Sequence, residues 1–140
     1  MNANWINKIE IGTSESGGAW TYSELAEGIE GMEFAENEQN QQYFFLKDKG
    51  FARNETTGSA PELVITGRRV VGDPAQDYIA GKQFKLGTER KSSVKITAEG
   101  NVITCDCTIG AITSFGGNTL DVNAFGCTVR FDGKPTVTTA

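Results

Sequence analysis

A ten-residue segment, GDPAQDYIAG at residues 72–81, contains the strongest helix signal of the chain. Asp73 is a good N-cap, Pro74 suits the first helical position, and Gly81 suits the helix end. These signals predict a helix over about residues 74–80. Isolated helices shorter than roughly 12 to 15 residues are marginal in water. The rest of the chain must therefore supply the surface on which this helix packs.

The predicted helix has an apolar and a polar side. Ala75, Tyr78 and Ile79 have the i, i+3, i+4 spacing of one apolar stripe. Gln76 follows the N-cap by three residues, as in a capping box. We expect the apolar stripe to be buried, and the side that carries Gln76 and Asp77 to face solvent.

Most of the remaining sequence alternates between apolar and polar residues, which is typical of strands. Seven or eight such segments with one helix predict a mainly β fold. We expect a β-sandwich or open barrel of mostly antiparallel strands with one short flanking α-helix. The predicted strands are residues 4–11, two strands within 28–46 with a bend at 37–41, then 62–71, 92–98, 102–109 and 120–131.

The other segments are predicted to be connections. Residues 12–18 are rich in Ser and Gly and indicate a loop, whereas 19–27 fit either a short strand or a helical turn. Residues 47–61 are polar, and a loop of that length is usually functional or disordered. With 140 residues, the chain fits a single domain, 1–140, with this long polar loop and a flexible C-terminal tail at 135–140.

The composition argues against an enzyme. The chain has no histidine, which removes the commonest general base and the commonest metal ligand. It has neither a GxxxxGK[ST] phosphate loop nor a GxGxxG motif before a helix. We therefore predict no catalytic residues, no metal and no cofactor.

The three cysteines are predicted to be buried and unpaired. Cys105 and Cys107 share one face of a predicted strand, and with Cys127 they supply only three thiolates at a spacing that fits structural zinc poorly. Free Cys is among the most buried residue types. With no secretory signal at the N-terminus, we expect a protein made in a reducing cytoplasm. No run approaches the roughly 20 apolar residues of a membrane helix.

The charges are acidic overall and unevenly distributed. A net charge of −5 argues against tight nucleic-acid binding, which depends on Lys and Arg. Residues 1–60 hold ten acidic and four basic side chains, whereas 61–95 hold seven basic and four acidic ones. The two parts could attract each other in a head-to-tail assembly of copies, or the charges could simply be scattered and solvated.

The order of several short motifs resembles the phage tail tube proteins, the major tail proteins of siphophages. The motifs are WINKIEI at 5–11, GIEG at 28–31, ENEQ at 36–39, VITGRRVVGDPAQDYI at 64–79 and FDGKP at 131–135. The resemblance covers nearly the whole chain.

The resemblance implies a structural virion protein that self-assembles into hexameric rings stacked head to tail. One sheet of each subunit would line a channel through which DNA passes during ejection without specific binding, and a long hairpin or loop would reach the adjacent ring. Implied partners are further copies and the tape measure, tail terminator and distal tail proteins, with no membrane. A decoration or adhesion-type binding module that forms no tube is the alternative.

Charged and polar residues are the candidates for these contacts. The inter-subunit candidates are Asp48, Arg53, Arg68, Arg69, Asp77, Lys82 and Arg90. The candidates for the lumen lining are Glu27, Glu33, Asn37, Ser93, Lys95 and Thr97.

Overall fold

A computed structural model describes residues 1–139. Over these residues the chain forms ten strands, three short 3₁₀ turns and one α-helix, α1 (Pro74–Ala80). The helix has the bounds predicted from its capping residues. The strands are β1 (Lys8–Ser16), β2 (Ala19–Glu24), β3 (Ile29–Ala35), β4 (Gln39–Phe44), β5 (Ala52–Gly58), β6 (Glu62–Arg68), β7 (Lys91–Ala98), β8 (Asn101–Thr113), β9 (Ala124–Phe131) and β10 (Thr136–Thr139).

Eight of these strands form one antiparallel sheet, in the order β2-β1-β7-β8-β9-β6-β3. The short strand β10 pairs with the start of β8, while β4 and β5 form a separate two-stranded sheet. The predicted mainly β fold with one short helix is therefore confirmed.

The large sheet curls around its own apolar face. Ile9 and Ile96, from β1 and β7, line the same cavity of about 230 Å³ as Met32 and Leu63, from β3 and β6. Strands that are far apart in the sheet order thus meet across the core, and the opposite faces of these strands point away from one another. Helix α1 packs against β1, β2 and β8 and buries Ala75 and Ile79.

The hairpin β3–β6 continues beyond the large sheet as a second hairpin, β4–β5. Ala35 pairs with Glu62 at the end of the first hairpin. The Ala60 N–H then donates to the Glu36 carbonyl oxygen at 2.9 Å, before the β4–β5 pairing begins. We call residues 36–61 the arm. The predicted loop at 47–61 is therefore wrong, because residues 52–58 are a strand; similarly, the bend predicted at 37–41 ends where β4 begins.

The two ends of the chain also differ from the prediction. Residues 4–6 form a 3₁₀ turn, and β1 continues through most of the predicted loop at 12–18. A tight turn at Gly17 and Gly18, both with positive φ, connects it to β2, because Gly adopts this conformation without steric cost. Residues 136–139 pair with β8 instead of forming a tail; Ala140 lies outside the described residues.

Gln76 is buried, contrary to the prediction that it faces solvent. Its amide nitrogen donates to the carbonyl oxygens of Glu27 (2.7 Å) and Arg68 (2.9 Å), and its amide oxygen accepts from the Val70 N–H (2.8 Å). The prediction failed because these backbone groups come from segments that meet only in the folded chain. The N-cap prediction is confirmed, since the Gln76 N–H donates to the Asp73 carboxylate at 3.1 Å.

Replacement of Gln76 by Leu should destabilise the subunit more than loss of the N-cap. Gln76→Leu leaves three partly buried backbone groups without their partners, at about 1 kcal/mol or more each, so we expect a loss of about 3 kcal/mol. Asp73→Ala removes one capping bond and should cost about 1 kcal/mol. Urea unfolding followed by tryptophan fluorescence measures both. Equal losses would contradict a special role for Gln76.

The three thiols should be inert in the folded subunit. Burial raises the pKa of Cys127 to about 12, and it raises the pKa of Cys107 and Cys105 as well. Because the thiolate is the reactive form, we expect a disulfide reagent at pH 8 to label none of the thiols in native protein and all three in urea. Rapid labelling of the native protein would contradict the burial of this cluster.

Candidate assembly surfaces

The end of the arm exposes a group of large apolar side chains. We call Phe44, Phe45, Leu46 and Phe51 the arm tip; their exposed fractions are 67%, 50%, 99% and 78%. Every residue of β4 is exposed, so the arm buries little within its own subunit. Exposed apolar groups of this kind mark interaction sites. The sequence pattern predicts a strand for Phe44, Phe45 and Leu46 and places Phe51 in the loop at 47–61.

The arm tip is held in shape by its own contacts. Arg53 donates to both carboxylate oxygens of Asp48, at 2.7 and 3.0 Å, and its guanidinium lies 5.7 Å from the ring centroid of Phe45. Phe45 also stacks on Tyr43, with 5.8 Å between the ring centroids. These two predicted assembly residues therefore bind each other across the arm and fix an aromatic residue beside them.

A second exposed apolar group lies at the opposite end of the sheet, near α1. The loops that carry it are bound to each other: the Arg69 N–H donates to the Asn123 carbonyl oxygen, and the Gln83 side chain donates to the Ile112 carbonyl oxygen. The group consists of six large apolar side chains that are all at least 62% exposed, and we call it the helix-end surface. Its members are Val71, Phe84, Leu86, Phe115, Leu120 and Val122.

Three of the predicted assembly residues bind groups of their own subunit. Arg69 donates to Asp77 at 2.8 Å, and this bond, with the Gly72 N–H, lowers the pKa of the Asp77 carboxyl. Arg90 donates to three backbone carbonyl oxygens, those of Lys85, Ile109 and Gln83.

The remaining two inter-subunit candidates, Arg68 and Lys82, make fewer contacts within their own subunit. Arg68 makes one exposed ion pair with Glu30, at 3.3 Å, and the Lys82 ammonium lies 4.8 Å from the ring centroid of Tyr78. Surface pairs of this kind contribute little to stability. Their role between subunits stays a prediction.

The predicted lumen residues fall into separate groups. Glu33 lies on the outer face of β3, beside Val64 of β6. Ser93, Lys95 and Thr97 lie on the outer face of β7, four strands away in the sheet order. Since the sheet curls, these two faces point in different directions, and which of them lines a channel stays a prediction.

Ser93 and the other two lumen candidates, Glu27 and Asn37, make hydrogen bonds within their own subunit. Ser93 is buried and hydrogen-bonded to the Tyr22 hydroxyl at 2.9 Å, so the prediction that it lies on a wetted surface is wrong. Glu27 lies in the turn before β3, and its carbonyl oxygen accepts from Gln76. Asn37 lies at the base of the arm and donates to the Ala60 carbonyl oxygen.

The strands at the two ends of the order in the large sheet, β2 and β3, each have a free edge. β2 and β3 lie at the ends of the strand order, so each has one edge without a strand partner within residues 1–139. Unpaired edges can accept strands from another chain. These edges are therefore further candidates for contacts between copies.

Neither a metal site nor a membrane helix was found in the part of the chain that the structure describes. Residues 1–139 contain no cluster of three or more potential metal ligands of the His, Cys, Asp or Glu type. Over the same residues, no helix has the length and apolar character needed to cross a bilayer.

The comparisons with known proteins identify a related fold but no related sequence. No family model and no curated protein matches the chain. A solved structure described as the tail of an empty GTA particle, obtained by helical refinement with C6 symmetry, matches with a TM-score of 0.74 and 10% identity. The match covers 99% of this chain and 100% of that one. The predicted resemblance to phage tail tube proteins is thereby confirmed at the level of the fold.

Proposed function

We propose that this protein is a structural, non-enzymatic subunit of a phage tail tube of the siphophage type. Copies assemble into hexameric rings that stack head to tail, and DNA passes through the channel during ejection. The subunit is made in the host cytoplasm and resides in the virion tail, where it contacts further copies and the tape measure, terminator and distal tail proteins. The observation that carries the proposal is the fold shared, over the whole chain, with a C6-symmetric tail particle.

The free edges of the sheet support ring formation. An exposed edge is an aggregation liability, and a closed ring of copies that pair edge to edge removes it. In such a ring the free edge of β3 in one subunit pairs with the free edge of β2 in the next. The outer face of β3, β6 and β9, with Glu33 beside Val64 and Thr128, then recurs in each subunit around the channel.

An acidic channel suits the passage of DNA. Binding to phosphates depends on Lys and Arg, which release counterions, so a carboxylate at Glu33 gives DNA no such gain. On the same face, Arg68 is paired with Glu30 and Arg130 with Glu62. We therefore assign the lumen to the β3–β6–β9 face in preference to the β7 face.

Purified protein should form rings and tubes. In negative-stain micrographs at high protein concentration we expect stacked rings with sixfold end views, because closed cyclic assembly covers the free edges. Dispersed small particles under all conditions would contradict the proposal and favour the decoration or adhesion-type module.

Chemical labelling distinguishes the two candidate lumen faces. Glu33→Cys adds a thiol at an exposed position, and its control Thr97→Cys adds one at a half-buried position of the β7 face, in a chain whose own thiols are buried. A bulky maleimide polymer, too large for a narrow channel, should label both variants as free subunits. In assembled tubes we expect labelling of Glu33→Cys to fall at least about tenfold relative to Thr97→Cys. Equal rates in tubes, or protection at position 97 alone, would contradict the assignment.

A further inference from the structure

The two end strands of the large sheet come together at a seam where they do not pair. Strand β2 ends at Glu24, and β3 begins at Ile29. Glu24 lines the same cavity of about 150 Å³ as Ile29 and Met32 of β3. The curl of the sheet therefore brings both end strands to one place, and we call the gap between them the seam.

The topology prevents the chain from closing the seam itself. Six antiparallel pairings separate β2 from β3 in the strand order, so the two strands run in the same direction along the sheet. Parallel neighbours need a crossover of about a dozen residues or more, whereas only residues 25–28 connect β2 to β3. A strand partner for either edge therefore has to come from another chain.

Trp5 is exposed beside this seam. It lies in a short 3₁₀ turn, Asn4–Ile6, that precedes β1, and it lines the seam cavity together with Glu24 and Met32. The exposed fraction is 84% for Trp5 and 54% for Ile6. Large exposed apolar groups mark interaction sites, and Trp is one of the residue types enriched among interface hot spots.

We infer that Trp5 anchors the contact between neighbouring copies of one ring by packing against the strand that the next copy brings to the seam. Edge pairing alone exchanges hydrogen bonds with water for hydrogen bonds between strands, so its net gain is small. Burial of an indole adds a large apolar contact area that has few rotamers to fix. The inference rests on the proposed function and names the side chain that makes edge pairing favourable.

A second copy is the partner that completes the seam. The proposed ring joins β3 of one copy to β2 of the next, so each junction takes one free edge from each copy. Such a contact is heterologous, and heterologous contacts close into a ring when the rotation between copies allows it. Because Trp5 stands between the two edges of its own subunit, a strand that joins either edge passes beside it.

Tryptophan fluorescence tests the burial of Trp5. The chain has two tryptophans, so Trp20→Phe leaves Trp5 as the only one. In this variant we expect acrylamide to quench assembled tubes at least about fivefold less than free subunits, because hot-spot residues are fully desolvated in their contact. Disassembly of the same tubes should restore the quenching. Equal quenching of Trp5 in subunits and tubes would overturn the inference.

Charged variants test whether Trp5 holds the ring together. Trp5→Asp changes a residue that is 84% exposed, so the subunit should fold as before, with an unchanged urea midpoint. The protein concentration at which rings form should rise at least about tenfold, as expected for a hot-spot residue. Asn2→Asp adds the same charge to the same segment, and Trp5→Phe retains an aromatic ring, so both should assemble like the wild type.

The other outcomes separate this inference from the proposed function. Normal tubes from Trp5→Asp would overturn the inference. Single rings that form normally but do not stack would overturn it too, because they would place Trp5 between rings. If Asn2→Asp also fails to assemble, added charge causes the loss, and the quenching result decides. Absence of rings and tubes in the wild type would instead refute the proposed function itself.

Discussion

A sheet with one apolar face has to bury that face, and this chain does so by curling the sheet onto itself and onto a seven-residue helix. The contact of α1 with the sheet depends on Gln76. Its side chain is hydrogen-bonded to backbone groups of Glu27, which precedes β3, and of Arg68 and Val70, at the end of β6 and just after it. The helix is too short to be stable alone. The helix is therefore stable only when it is packed on the sheet.

The curled fold leaves some structural features exposed that contacts within one subunit do not cover. Curling covers the apolar face but leaves one free edge on β2 and one on β3, and the extended hairpin carries its apolar tip away from the core. Each feature is unfavourable in an isolated subunit. In the proposed tube, edge-to-edge pairing within a ring would cover the free edges, and a neighbouring copy would cover the tip. The proposed structural role therefore accounts for both features.

The sequence predicted best what depends on local chemistry. Asp73, Pro74 and the apolar stripe specify a helix through capping and periodicity alone, and the alternation around Val94 identifies a strand. The arm was missed because both of its faces are exposed, which removes the alternation that identifies a strand. Gln76 and Ser93 were misassigned because their partners are distant in sequence.

The candidate site was harder to predict for a related reason. Charged residues are easily chosen from a sequence as assembly contacts, yet Arg69, Asp77 and Arg90 satisfy groups within their own subunit. The apolar tip was visible as the run YFFL at 43–46, but an aromatic run also fits a buried strand. Only the position of that run at the end of an arm, outside the core, marks it as a contact surface.

A density map of the assembled particle, with side chains resolved, tests the central claim most directly. The account predicts six subunits in each ring, continuous pairing of strands between neighbours, and the arm of each subunit in contact with the next ring. A different rotational symmetry without strand pairing between subunits, or arms folded back on their own subunits, would contradict it.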